Sequence, residues 1–117
     1  MKDIRIGRIS SINYNDGTAD VYFKDEEDHI ITDLPFFSNE YKMPDINDNV
    51  VVIFQSNNSS QGFILGPFYN KNNKPEHSGK NVYFKRFSKK SFIRYDPEKD
   101  MIEISADKVV IKNLSQE

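Results

Sequence analysis

The sequence predicts a small all-β protein whose first part forms a five-stranded barrel. Short segments rich in Val, Ile, Phe and Tyr recur along the whole chain, and clusters of Asn, Asp, Gly, Ser and Pro separate them. This alternation is typical of strands joined by turns. Five such segments fall before residue 70, which favours a small barrel, and no helix of three turns is predicted.

A chain of 117 residues is long enough for one modest core and a short appendage. We expect a first domain over residues 1–70, a linker over 71–80 and a C-terminal segment over 81–117. The linker is polar throughout and contains Asn, Pro, Ser and Gly. The predicted strands cover residues 4–14, 18–24, 29–34, 49–55 and 62–65 of the first domain, and 81–87, 91–95, 101–105 and 109–112 of the C-terminal segment.

Two predicted strands depart from simple alternation. In the first strand the apolar positions change parity near Gly7, which predicts a β-bulge there. In the fourth strand Val50 to Phe54 is apolar at every position, so both faces should be covered, either inside a barrel or by a neighbouring copy. The predicted barrel core consists of Val50, Val52, Phe54, Phe63 and Leu65.

Apolar and polar residues also alternate in the C-terminal segment. Ile102 and Ile104 share one parity, and the switch to the parity of Val109 and Ile111 predicts a turn or kink between the two strands. These strands carry too little apolar surface for a core of their own. We therefore expect other copies of the chain to cover the segment.

No group of residues predicts catalysis, a cofactor or a metal. The chain has no Cys, only two His, and no nucleophile-elbow or P-loop sequence. His29 follows four acidic residues, but consecutive residues of a hairpin loop do not converge on one ion. Residues 45–49 imitate the start of a calcium loop, although Val50 stands where that loop requires Gly. We predict that the protein is not an enzyme.

The N-terminus and the hydropathy pattern predict no integral membrane segment. Met1 to Arg5 contains no apolar signal segment, and no run approaches the roughly 18 apolar residues of a membrane span. The absence of Cys fits synthesis in a reducing cytoplasm.

The order of several segments resembles a known family. The opening strand Ile6 to Ile12, the step Leu34-Pro35 and the apolar run after Asp48 follow one another along the chain. The run Gly62 to Asn70, a Gly-x-x-x-Gly strand that ends in Tyr-Asn, is the most specific element. Together they resemble the baseplate assembly protein V group of phages and phage-like bacteriocins, which is related to the spike of type VI secretion.

This resemblance implies both a fold and a function. The fold is a five-stranded OB-fold barrel followed by a short β-prism, intertwined in a trimer and filled by Ile102, Ile104, Val109 and Ile111. The function is that of a structural central spike or hub-tip component of a contractile tail, which transmits the force of contraction to pierce the target cell envelope. The implied partners are the tail hub, baseplate and tube proteins, with a separate tip protein as a further candidate. The implied location is a phage tail or phage-tail-like particle, after assembly in the bacterial cytoplasm.

The sequence departs from this family in three places. Asn47 replaces a Gly before Asp48, a change that Asn tolerates because it adopts left-handed conformations. Residues 56–60 replace a Gly-Asp turn. The C-terminal segment is very short, and His29 and His77 do not form the His-x-His pair of an iron-binding tip, so the resemblance implies no metal here.

The main alternative is an OB-fold module that binds single-stranded nucleic acid. Basic and aromatic residues interleave from Lys80 to Tyr95 with no acidic residue among them. However, OB-folds bind oligonucleotides on strands two and three. In this sequence that region, from Asp16 to Asp33, is acidic and Lys24 is its only Lys or Arg. Because such a surface repels phosphate, we predict no nucleic-acid binding.

Overall fold

The protein is all-β, as the sequence predicts. A computed structural model describes residues 3–24, 29–38, 40–55 and 61–114, and no α-helix occurs among them. The chain divides into two compact units, Met1–Asn73 and Lys74–Glu117. We call them unit 1 and unit 2.

Unit 1 contains one antiparallel sheet of five strands. Adjacent strands in the order β3-β2-β1-β4-β5 are hydrogen-bonded to each other. Gly17 in the turn between the first two strands has a φ of 67°, a left-handed conformation that glycine adopts without steric cost. The strands are β1 (Ile4–Asn13), β2 (Thr18–Phe23), β3 (His29–Pro35), β4 (Asn49–Phe54) and β5 (Gly62–Pro67).

The two edge strands of this sheet, β3 and β5, approach each other. Phe36, directly after β3, forms a parallel bridge with Ile64, and the backbone N–H of Phe37 donates to the Ile64 carbonyl at 2.9 Å. One bridge is not a continuous ladder. Over the described residues unit 1 is therefore a curled sheet whose edges touch, rather than the closed barrel that the sequence predicts.

Asp20 lies at the point where the sheet bends. The strands on both sides of it carry an extra residue, between Ile9 and Ser11 on β1 and between Ile31 and Leu34 on β3. Its carboxylate accepts hydrogen bonds from the Ser11 hydroxyl at 2.8 Å and from the backbone N–H of Asp33 at 3.0 Å. Because bulges increase local twist and bend a strand, this side chain stabilises the curl.

The bulge on β1 therefore lies between Ile9 and Ser11, a few residues after Gly7, where the sequence predicts it. Gly7 lies inside a regular stretch of the β1–β4 ladder, paired with Val50. Its position faces the core, where a Cβ atom would overlap the side chains of Val21 and Phe23. The glycine reflects close packing and not an irregular strand.

The core of unit 1 lies on the concave face of the sheet. Val50, Val52 and Phe54 are buried there. Phe63 and Leu65, expected in the same core, point to the opposite face and are 46% and 49% exposed in the single chain. The inward positions of β5 belong to Gly62 and Ile64, and a glycine gives no apolar signal from which to read the parity. The buried apolar residues are Ile9, Ala19, Val21, Phe23, Leu34, Val50, Val52, Phe54 and Ile64.

Unit 2 contains an antiparallel sheet of three strands in the order β6-β7-β8. The strands are β6 (Tyr83–Arg86), β7 (Phe92–Asp96) and β8 (Met101–Ser105). The strand expected at 109–112 is not formed, since these residues carry no strand or bridge in the described part of the chain. The expected linker is divided between the units: Asn73 bonds to Asn70 and Phe68 in unit 1, whereas Glu76 bonds to Arg86 in unit 2.

Candidate interaction surface

The strand register of unit 2 defines two chemically different faces. Residues directly opposite each other in an antiparallel ladder share a face, and both ladders of this sheet are regular. One face, which we call the polar face, carries Phe84, Arg86, Phe92, Arg94, Asp96, Met101, Glu103 and Ser105. The other, which we call the apolar face, carries Tyr83, Lys85, Ile93, Tyr95, Ile102 and Ile104.

The two arginines of the polar face are paired with carboxylates within the unit. The Nε of Arg86 donates to the Glu76 carboxylate at 2.9 Å, and the Nη2 of Arg94 lies 3.0 Å from the Glu103 carboxylate. The Arg86 guanidinium also lies over the rings of Phe84 and Phe92, 5.4 and 5.3 Å from their centroids. Such contacts stabilise a cation and cover the rings. The charges of these two arginines are therefore balanced within unit 2.

The apolar face remains open in the single chain. Ile102 is 70% exposed and Ile104 is 53% exposed, although both lie in regular β8. Ile93 and Tyr95 beside them are half-buried. The Tyr95 hydroxyl donates to Asp100 at 2.8 Å, and this hydrogen bond to a carboxylate raises the pKa of Tyr95. A three-stranded sheet needs a covered apolar face for stability, so this face is a candidate for contact with another chain.

The residues after β8 form a second exposed apolar segment. Val109, Val110, Ile111 and Leu114 all lie on the surface, and Ile111 is 90% exposed. We call residues 106–114 the C-terminal tail. The structure thus places Ile102 and Ile104, two of the four residues expected in the prism, side by side on the apolar face. Val109 and Ile111 lie outside the sheet in the tail.

Unit 1 also carries an exposed apolar row that the sequence interpretation did not identify. Ile4, Ile53 and Phe63 lie directly opposite one another on β1, β4 and β5, on the convex face of the sheet. All three are exposed. The available signal was the uninterrupted apolar run from Val50 to Phe54, since β4 presents Val51 and Ile53 away from the core. We call these three residues the outer row.

The basic and aromatic residues between Lys80 and Tyr95 do not form one continuous surface. Their side chains divide between the two faces of the unit 2 sheet. Arg86 and Arg94 are paired with carboxylates, while Lys80, Lys89 and Lys90 lie in exposed loops. The basic stripe of the sequence is therefore not gathered on one face of the sheet.

Two segments of the sequence resemble metal sites, one at His29 and one at residues 45–49. In the structure their described residues form a ring contact and a hydrogen-bonded turn. The His29 ring lies 6.2 Å from that of Phe23, and the acidic residues 25–28 before it lie outside the described residues. Asp45 and Asp48 belong to a turn in which the Asp45 N–H donates to the Asp48 carboxylate, and Asn47 there has a φ of 76°. The described part of the chain contains no group of three His, Cys, Asp or Glu residues able to hold a metal.

The comparisons with other proteins give no family assignment. No protein-family model matches the sequence, and none of the curated proteins matches it. In the described residues no helix is long and apolar enough to cross a membrane. Function is therefore inferred from the surfaces of the two units.

Proposed function

We propose that this protein is a homotrimeric spike or hub-tip component at the end of a contractile phage tail or phage-tail-like particle. The observation that carries this proposal is the apolar face of unit 2, with Ile102 and Ile104 exposed on a regular strand. Three copies of the face turned toward a common axis would remove these side chains from water. Burial of one Ile is worth about 1.5 to 3 kcal/mol, and the gain is repeated in each copy.

The topology of unit 1 supports an OB-fold for the first domain. An OB-fold is a five-stranded, partly open Greek-key barrel. Unit 1 has a three-stranded meander β1-β2-β3, a hairpin β4-β5 paired with β1, and a parallel bridge that joins the end of β3 to β5. Three such domains would form a collar, and the outer row offers that collar an apolar surface for the tail hub, baseplate or tube.

The proposed role is mechanical. Contraction of the sheath does work on the tube, and a small stiff tip transmits that work to the target envelope. Association of three sheets would also remove exposed strand edges, which otherwise invite pairing with unrelated chains. The arrangement assigns no catalytic residue and no cofactor, and a separate tip protein at the distal end remains compatible with it. Such a protein would be made in the bacterial cytoplasm and then retained in the particle.

The melting temperature should depend on protein concentration if the folded state is a trimer. One folded trimer gives three unfolded chains, so each tenfold rise in concentration should stabilise the trimer by about 2.7 kcal/mol, twice the free energy of a tenfold change in an equilibrium constant. Thermal unfolding followed by circular dichroism over a hundredfold range of concentration tests this. If every unfolding transition keeps a constant midpoint over that range, the result argues for a monomer.

Single-stranded oligonucleotides should bind weakly or not at all. Arg86 and Arg94 are already paired with Glu76 and Glu103, so phosphate would have to displace protein carboxylates. Fluorescence anisotropy at low salt is the most demanding test, because phosphate contacts strengthen as salt falls. Micromolar affinity that disappears when Lys80, Lys89 and Lys90 are neutralised would support the nucleic-acid-binding alternative instead.

A further inference from the structure

We infer that unit 2 contains a binding site for a small zwitterion, a molecule that carries an ammonium group together with a carboxylate or a phosphate. The site is a cavity of about 440 Å³ beside the end of β7. Cavities of this size are typical of small-molecule sites. Part of the lining comes from the loop before β6, with His77 and Lys80. The rest comes largely from the end of β7 and the turn after it, from Arg94 to Glu98.

Charges of both signs line this cavity. Lys80 and Arg94 contribute cations, whereas Asp96 and Glu98 contribute carboxylates. Among the residues that the structure describes, neither Lys80 nor Glu98 forms an ion pair. A ligand of one charge would be attracted by one pair of side chains and repelled by the other, whereas a zwitterion can match both pairs. The distribution of charge therefore determines the class of ligand.

Arg94 has a hydrogen-bond donor that the fold leaves unused. Its Nη2 lies 3.0 Å from the Glu103 carboxylate, but its Nε is buried and has no hydrogen-bond partner in the described part of the chain. A buried donor without an acceptor is destabilising, and such groups are rare in folded proteins. Because Arg94 lines the cavity, the anionic group of a bound zwitterion can supply the missing acceptor.

Both parts of the lining are held in place by contacts within unit 2. The His77 ring lies 4.5 Å from the Phe84 ring, which fixes the loop before β6 on the sheet. In the turn after β7 the Asp96 carboxylate accepts a hydrogen bond from the backbone N–H of Glu98 at 3.0 Å. A site that is ordered before its ligand arrives loses less conformational entropy on binding. The cavity therefore needs little rearrangement to bind.

The cavity is separate from the surface proposed for association. Neither Ile102 nor Ile104 lines it, and Arg94 and Asp96 belong to the polar face. A zwitterion can therefore bind whether the chain is a monomer or a trimer, and the site goes beyond the proposed spike without depending on it.

NMR titration of the isotope-labelled full chain tests the ligand class. O-phosphoethanolamine and β-alanine each carry an ammonium group, and they differ in having a phosphate or a carboxylate as the anion. Inorganic phosphate and ethylamine, which carry one sign of charge each, are the controls. Because exposed ion pairs contribute little, we expect weak binding, with a dissociation constant on the order of 1 mM for the better zwitterion. Both controls should bind several-fold more weakly. Equal affinity for phosphate alone would overturn the assignment to zwitterions.

Four substitutions at exposed positions locate the binding. Lys80→Gln and Glu98→Gln each remove one charge from the cavity, and each should weaken binding of the zwitterion by about two- to fivefold, the effect of losing an exposed ion pair. Lys99→Gln and Asp107→Asn make the same changes of charge at positions that do not line the cavity, and should leave the affinity unchanged. The site is wrong if the two control variants weaken binding as much as the cavity variants, or if neither zwitterion shifts the amide signals of the lining residues.

Discussion

Replacing Ile104 with Asp should convert the protein from a trimer into monomers while unit 1 stays folded. In the single chain Ile104 is 53% exposed, so an Asp there costs little in a monomer. In the proposed trimer the change removes about 1.5 to 3 kcal/mol of apolar burial per copy and places three carboxylates near one axis. Burial of unpaired like charges costs several kcal/mol more. Because the trimer contains three copies of the change, the loss of free energy on association is repeated three times.

Ile30→Asp is the matched control for this change. Ile30 lies on β3 of unit 1, is 51% exposed and also occupies a strand. Ile30→Asp removes the same β-propensity and the same apolar side chain as Ile104→Asp, but at a site outside the apolar face of unit 2. Light scattering should show a trimer for Ile30→Asp and a monomer for Ile104→Asp. An unchanged trimer mass in both variants would show that the apolar face of unit 2 is not buried by association.

Replacing Gly7 with Ala should destabilise unit 1 more than a single methyl group suggests. The new Cβ would overlap the Cγ1 of Val21 and lie 2.8 Å from the Phe23 ring. Both of these side chains are fully buried in the core, so neither can move outward into water. Overpacking of this kind typically costs about 1 to 3 kcal/mol. Urea unfolding followed by circular dichroism measures the loss.

A second substitution distinguishes steric overlap from a general intolerance of β1. Val21→Ala alone leaves a small cavity and should also destabilise the protein. Combined with Gly7→Ala, it removes the overlapping methyl group, so the double variant should be more stable than the sum of the two single changes predicts, by about 1 kcal/mol or more. Strictly additive losses would mean that the Gly7 position is sensitive for another reason.

Most strands of this protein can be predicted from its sequence, because each is a short apolar segment between turn residues. Eight of the expected segments correspond to strands, with boundaries that differ by a few residues. The ninth, at 109–112, has the right local pattern but forms no ladder with any of the described strands. Local pattern predicts which residues can form a strand, whereas the presence of an edge to pair with is a property of the assembled structure.

The inward and outward faces were harder to predict than the strands. Gly62 takes an inward position on β5 without an apolar side chain to mark it, so Phe63 and Leu65 were assigned to the wrong face. The bulge beside Asp20 depends on Ser11 and Asp33, which lie 9 and 13 residues away in sequence. The glycine leaves no periodic signal in the chain, and the bulge shows only as a change of apolar parity after Ile9.

The candidate interaction surface was predicted only in part, because some of its contacts depend on strand register and on how a loop folds. Alternation alone placed Ile102 and Ile104 together on one face of a strand. The pairing of Arg94 with Glu103 depends on the register of β7 and β8, and that of Arg86 with Glu76 on how the preceding loop folds back. The sequence therefore indicated a basic stripe in unit 2 where the structure shows arginines whose charges are already balanced.

The mass of the full chain in solution tests the central claim most directly. Size-exclusion chromatography with light scattering at micromolar concentration requires no partner, ligand or variant. The proposed spike predicts a single species of three times the mass of one chain. A single species with the mass of one chain would contradict it, because the apolar face of unit 2 would then remain in contact with water and three-fold association would have no role.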